Sequence, residues 1–194
     1  MTKNDRFTIG WISPLPLEHE AAGLNAFYLG GRIGKHEVVI RVQRRTVLEG
    51  AAILAEKMRS GFPNIKSFLL VGIAGGVPRY GLAGAVSEIV LGDVVLFVHF
   101  GNVASSNQLQ ISATERNRIQ KEHDSACFEM EAADVLLEYP CVVVRGICDY
   151  ADSHKNKAWQ NYAAGTAAAS VHSNVPRTTL NHCALRQRLR EDKA

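Results

Sequence analysis

No two cysteines in this sequence stand at C-x-x-C spacing. The four present, Cys127, Cys141, Cys148 and Cys183, therefore do not frame a zinc ribbon. The seven histidines show no ligand spacing, so neither a metal nor another cofactor is expected. A free thiol in apolar surroundings behaves as a small hydrophobe and suits a reducing compartment. Long apolar runs are also missing. The longest, Phe68 to Pro78, is broken by glycine and alanine and falls well short of the roughly 20 residues a membrane helix needs. The opening MTKNDRFTIGWISPLP has no sustained apolar core followed by a cleavage site. A cytoplasmic protein without membrane association is expected. Charge of one sign is scarce too. The formal net charge is +3, and residues 174–194 account for all of it, with five basic side chains against two acidic ones. A neutral body with a short basic tail lacks the docking face of a nucleic-acid-binding domain, and no nucleic-acid partner is expected.

What the sequence has is ordinary for a globular chain: 46% hydrophobic and 21% charged residues. Its length of 194 residues suits one domain, taken as 1–173, with 174–194 as a basic and flexible tail. FTIGWI (7–12) reads as a first strand ended by Pro14 and Pro16, and LEHEAAGL (17–24) as helical turns. Residues 28–42 read as a hairpin, with Gly30-Gly31 and Gly34-Lys35 as turn material. TVLEGAAILAEKMR (46–59) has helical apolar spacing, with Thr46 as N-cap and Gly61 and Pro63 as stops. SFLLVGIA (67–74) and CVVVRGI (141–147) are solidly apolar, as strands buried on both faces are. Residues 86–98 hold one or two further strands around Gly92-Asp93. Helices are expected over 112–122, 128–137 and 157–170. Trp11 and Trp159 are expected in the core. Strands alternating with helices predict an α/β fold: a mixed, mostly parallel central sheet flanked by helices. Ligands in such folds gather at the carboxyl ends of strands.

Four features can carry chemistry. Gly72-Ile73-Ala74-Gly75-Gly76 closes an apolar strand, where glycine lets a ligand approach the backbone. It equally fits a tight turn. The glycine spacing is wrong for a dinucleotide fingerprint, and no G-K-S/T follows for a phosphate loop. Phe128-Glu129-Met130-Glu131 opens an amphipathic segment. Carboxylates there suit the helix macrodipole by themselves, but Glu131 could also accept hydrogen bonds from a diol while Met130 packs on a sugar face. Asp149 follows a buried strand, in a half-buried position from which a carboxyl can act as a general acid; an Asp capping a turn fits as well. Glu18 follows the first strand, where an exposed helix glutamate is the simpler reading.

In order along the chain, Ile9-Gly10-Trp11-Ile12…Glu18, Val71-Gly72-Ile73-Ala74-Gly75-Gly76, Phe128-Glu129-Met130-Glu131-Ala132 and Arg145-Gly146-Ile147-Cys148-Asp149 resemble the purine nucleoside and uridine phosphorylase superfamily. The likeness spans about residues 7–170. Within that superfamily the chain is most similar to the branch holding methylthioadenosine/S-adenosylhomocysteine nucleosidase, and to fungal phosphorylase-like domains that open multidomain proteins. The resemblance implies that Asp149 protonates N7 of a departing purine and that Glu18 activates water. It further implies that Glu131 binds the ribose hydroxyls, with Met130 under the sugar. Phe128, Glu129, Ala74 and Gly75 complete the expected substrate-binding set. A neutralised leaving base, a stabilised oxocarbenium-like sugar and a delivered nucleophile are what cleavage of an N-glycosidic bond requires.

A phosphorylase would need arginines and a hydroxyl for phosphate. The strand reads Leu69-Leu70-Val71-Gly72-Ile73 without them, and the N-terminal G-D-P-x-R pattern is missing, so water is the expected nucleophile. The chain also departs from the family. Only Leu96, Phe97 and Val98 separate Val95 from His99, where relatives carry a long insertion, so a shortened fold is expected. The expectation is therefore a purine nucleosidase acting on a nucleoside or nucleotide, assembled as a homo-oligomer, with a dimer favoured. The alternative is a non-catalytic nucleoside-binding or signalling module of the same fold.

Overall fold

The structure is a computed structural model that describes residues 4–13, 28–42, 50–78, 88–97, 102–106 and 108–174. The chain divides into two compact units: 1–71, 131–143 and 171–194 form one, and 72–130 with 144–170 the other. Across both, the elements make a mixed, mostly parallel α/β arrangement with helices beside the strands. The expected tail from 175 onward, the segment 17–24, Thr46 and the abbreviated stretch 98–101 lie outside the described residues.

In the first unit, β1 (Ile9–Ser13) runs parallel to both β3 (His36–Val42) and the start of β4 (Ser67–Gly76). Neighbours on both sides explain why IGWI is buried without alternation. β2 (Leu29–Ile33) pairs antiparallel with β3, and Gly34 turns the hairpin at φ +56°. Gly30 and Gly31 do not form a turn. They pair with Val39 and Val38 inside β2, and a Cβ on Gly30 would lie 2.9 Å from the Phe7 ring. That glycine serves close packing. α1 (Ala51–Gly61) follows Gly50 as N-cap and buries Leu54, Ala55 and Met58 almost completely. α3 (Ala132–Glu138) packs against α1, and Trp11 is buried as expected.

In the second unit, the end of β4 meets β7 (Ser125–Glu129) antiparallel, through Gly75 opposite Phe128 and Gly76 opposite Cys127. β7 also runs parallel to β6 (Asn102–Ser105). β8 (Cys141–Asp149) pairs with β4 and with β5 (Val94–Phe97). The stretch 86–98, expected to hold one or two strands, holds one among the described residues, with Gly92 at φ +93° turning the chain before it. Two expectations need correction. The helix expected from Phe128 starts at Ala132, because SACFE is buried throughout and is taken up as a strand between two neighbours. Trp159 is 39% exposed and meets Tyr162 edge-on rather than entering the core.

Two helices place the rest. α2 (Ala113–His123) is a polar surface helix, capped by Ser112, whose hydroxyl accepts from Glu115 N. A short 3-10 turn, Lys157–Trp159, leads into α4 (Gln160–Asn174). Ala163 and Ala167 are fully buried, and a Cβ on Gly146 of β8 would sit 1.9 Å from the Ala163 carbonyl oxygen. The alanine-rich sequence lets helix backbone rest on strand backbone.

Candidate active site

The site is built around the last residue of β8. Residues 141–148 of that strand are buried, so Asp149 is delivered at the strand's carboxyl end with only 11% of its side chain exposed. Its Oδ1 accepts from the backbone N–H of Ala151 at 2.8 Å and from Nζ of Lys155 at 2.9 Å. Its Oδ2 faces the Cys148 thiol, which donates at 3.4 Å. The turn that follows is tightly held. Ala151 is fully buried at φ +52°, a left-handed conformation that costs a residue with a Cβ about 1–2 kcal/mol. Arg116 of α2, itself buried, donates to the Tyr150 carbonyl at 2.6 Å and pairs with Asp152 at 3.6 Å. Asp152 in turn accepts from His154 N.

Gly75 is required by this carboxyl. A Cβ there would stand 2.7 Å from Asp149 Oδ1 and 2.9 Å from Ala151 N. Ala74 beside it packs with Cys127 and Ile147, and its carbonyl, 3.6 Å from Cys148 Sγ, is the second acceptor within reach of that thiol's one proton. Burial, and then the neighbouring Asp149, push the Cys148 thiol up to about 12, so it remains a protonated donor. Phe128, opposite Gly75 in the ladder, packs on Val77 and Ala151. Ala74, Gly75, Phe128 and Asp149 are therefore brought together.

The other expected residues are placed differently. The Glu129 carboxylate is fully buried and bonded to Arg145 Nη2 at 2.5 Å. Beside this pair, burial pushes the Cys127 thiol up to about 12. Met130 is 40% exposed. Glu131 begins the other unit's 131–143 segment, half-buried at the position before α3, and its side chain makes no capping bond to that helix. Glu18 lies outside the described residues. Lys155 and Arg116 were not legible in the sequence. A lysine six residues beyond an aspartate and an arginine within a polar helix carry no distinguishing pattern. Among the described residues, no cluster of three or more His, Cys, Asp or Glu could hold a metal ion, and no helix is long and apolar enough to cross a membrane.

No protein-family model matches the chain. Over 70 residues, 36% of its length, it is 53% identical to a nucleotide-binding leucine-rich repeat (NLR)-like protein of Hyaloscypha variabilis. The match spans 7% of that protein. Solved structures superpose more extensively. Futalosine hydrolase of Helicobacter pylori gives a TM-score of 0.65 at 18% identity, covering 87% of this chain and 97% of that one. The 5′-methylthioadenosine/S-adenosylhomocysteine nucleosidase of Neisseria meningitidis, in complex with methylthio-immucillin-A, gives 0.64 at 17% identity, covering 85% and 96%. A mutant of the Helicobacter pylori nucleosidase with 5′-methylthioadenosine in its active site gives 0.62 at 16% identity, covering 86% and 97%. This chain has the nucleosidase fold. The likeness first carried by four short motifs thus extends over most of the backbone, and Asp149 ends a strand of that nucleosidase fold.

Proposed function

We propose that this chain hydrolyses the N-glycosidic bond of a purine nucleoside or nucleotide and releases the free base. The observation that carries the reading is the seat of Asp149. The carboxyl stands at the end of a buried strand, against a glycine whose Cβ would clash with it, and among the described residues its Oδ2 is bonded only weakly, by a thiol. A carboxyl so placed can protonate a leaving base. The fold, shared with nucleosidases and with futalosine hydrolase, makes a nucleoside the fitting substrate.

In this reading Asp149 gives its proton to N7 of the purine as the C1′–N9 bond breaks and the bonding pair moves into the base. Water, deprotonated by Glu18, adds to the anomeric carbon. Glu131 accepts hydrogen bonds from the ribose hydroxyls and Met130 packs beneath the ring. Phe128, Ala74 and Gly75 shape the wall beside the acid. Glu129 acts through Arg145, bracing the backbone from which Met130 and Glu131 follow. No cofactor is required. We place the protein in the cytoplasm, where the buried free thiols of Cys127, Cys141 and Cys148 stay reduced, and expect a homodimer.

Chromatography of adenosine, methylthioadenosine, inosine and ATP after incubation with the protein tests this, with and without phosphate. Free base without phosphate is the expected result; base appearing only with phosphate would make the protein a phosphorylase. A second reading, a non-catalytic signalling module, is favoured by the 53% identity over 70 residues to an NLR-like protein. It predicts that Asp149→Asn leaves ligand binding unchanged and that neither form releases base.

A further inference from the structure

We propose that Lys155 is a positioning residue for the acid: it holds Asp149 Oδ1 as an acceptor, so that the transferable proton resides on Oδ2. This rests on the hydrolase reading. A carboxylate oxygen offers about two lone-pair sites. On Oδ1 both are met, by Ala151 N at 2.8 Å and Lys155 Nζ at 2.9 Å. A proton on that oxygen would face two donors. Among the described residues Oδ2 receives only the Cys148 thiol at 3.4 Å, a weak donor, and has a site left for a proton aimed at a substrate. The backbone bond alone would leave Oδ1 one site short, and the carboxyl could then carry its proton on either oxygen. Lys155 removes that ambiguity.

The lysine is itself held in place. On one side Asp152 accepts from His154 N at 2.8 Å. On the other, Asn156 accepts from Ala158 N at 2.9 Å and starts the 3-10 turn. The carboxyl is 11% and the lysine 25% exposed, so the contact is shielded from water. In the reaction the Oδ2 proton passes to the purine, and the base takes the electron pair of the broken C–N bond. Lys155 keeps its own proton and stands beside the carboxylate that results. Asp149 recovers a proton from solvent after the water has added.

The test compares Lys155→Met and Lys155→Arg with the wild type on two substrates. One is the purine nucleoside or nucleotide that the wild type cleaves. The other is 4-nitrophenyl β-D-ribofuranoside, whose leaving group departs without protonation. Lys155→Met is expected to lower kcat on the purine substrate about a hundredfold, with KM changed by less than about threefold. Lys155→Arg should recover most of that loss, and nitrophenol release should fall by less than about threefold. A Lys155→Met variant that matches the wild type on the purine, loses equally on both substrates, or changes KM instead of kcat overturns the assignment. So does failure of Lys155→Arg to restore activity. A wild-type chain that releases no base from any purine nucleoside or nucleotide removes the hydrolase reading, and this assignment with it.

Discussion

Gly75 and Asp149 occupy one place between them. A methyl group at position 75 would press on the carboxyl oxygen and on the backbone of Ala151. Ala151 is already left-handed and fully buried, so the turn cannot retreat cheaply. Gly75→Ala is expected to lower stability by about 1–3 kcal/mol, the usual cost of overpacking. It should also cut base release far more than that loss explains, because Asp149 is displaced. Thermal unfolding and kcat on the same preparation check this; full activity in a destabilised variant would refute the close seat. The Glu129–Arg145 pair makes a different prediction at the same scale. Both side chains are fully buried. Breaking a buried ion pair by removing one partner costs about 3–5 kcal/mol, whereas replacing both with apolar groups often costs little. Urea midpoints should therefore place Arg145→Met well below the double variant Glu129→Leu/Arg145→Met. Equal midpoints would show that the pair is not energetically coupled.

Whole elements were legible where their pattern is one-dimensional. SFLLVGIA and CVVVRGI declare buried strands by continuous apolarity, and both form. The polar run 112–122 declares a helix, which forms as Ala113–His123 with the Ser112 hydroxyl as its cap. Phe128 and Glu129, the end of SACFE, could not be separated from the helix behind them, because a short buried run without alternation fits either state. The strand state of SACFE comes from Gly75 and Val103, which lie beside it in space and far from it in sequence. The alanines of α4 gave length but no orientation; the cause of their smallness is Gly146, on another element. The site was partly legible for the same reason. Asp149 and Gly75 could be named from motifs, but their contact, and the lysine and arginine that fix the turn, depend on packing across elements. The Gly146–Ala163 contact yields a prediction. With a Cβ meeting helix backbone at 1.9 Å, Gly146→Ala should force α4 off β8, and no soluble folded protein should be recovered. Gly165 has open space around its would-be Cβ, so Gly165→Ala in the same helix should stabilise by about 0.5–1 kcal/mol. Soluble yield checks the first outcome and a circular dichroism melt of Gly165→Ala the second, and a well-folded Gly146→Ala would disprove the close approach.

For the molecule as a whole, the buried thiols set an alkaline limit. Burial foremost pushes Cys127 and Cys148 up to about 12, from an ordinary value of 9.0. In the unfolded chain both lose their protons near the lower value, while the folded chain keeps them bound. Below about pH 9 both states are protonated and the thiols leave stability independent of pH. As pH rises from about 9 to about 12, only the unfolded state releases protons, and stability falls. The slope is at most about 1.4 kcal/mol per pH unit for each thiol. Lysines and tyrosines titrate in the same range, so the informative quantity is the difference from a Cys127→Ala/Cys148→Ala variant. That difference should be flat between pH 6 and about pH 7.5, roughly a unit or more below the ordinary thiol value. Above it, the wild type should lose stability faster than the variant. Parallel curves would mean that the folded chain lets these thiols ionise. The same proton retention forbids a reactive thiolate beside Asp149 at neutral pH. Iodoacetamide should leave Cys148 unmodified in the folded protein and label it once the chain is unfolded. Cys148 then stays a hydrogen-bond donor beside Asp149 Oδ2.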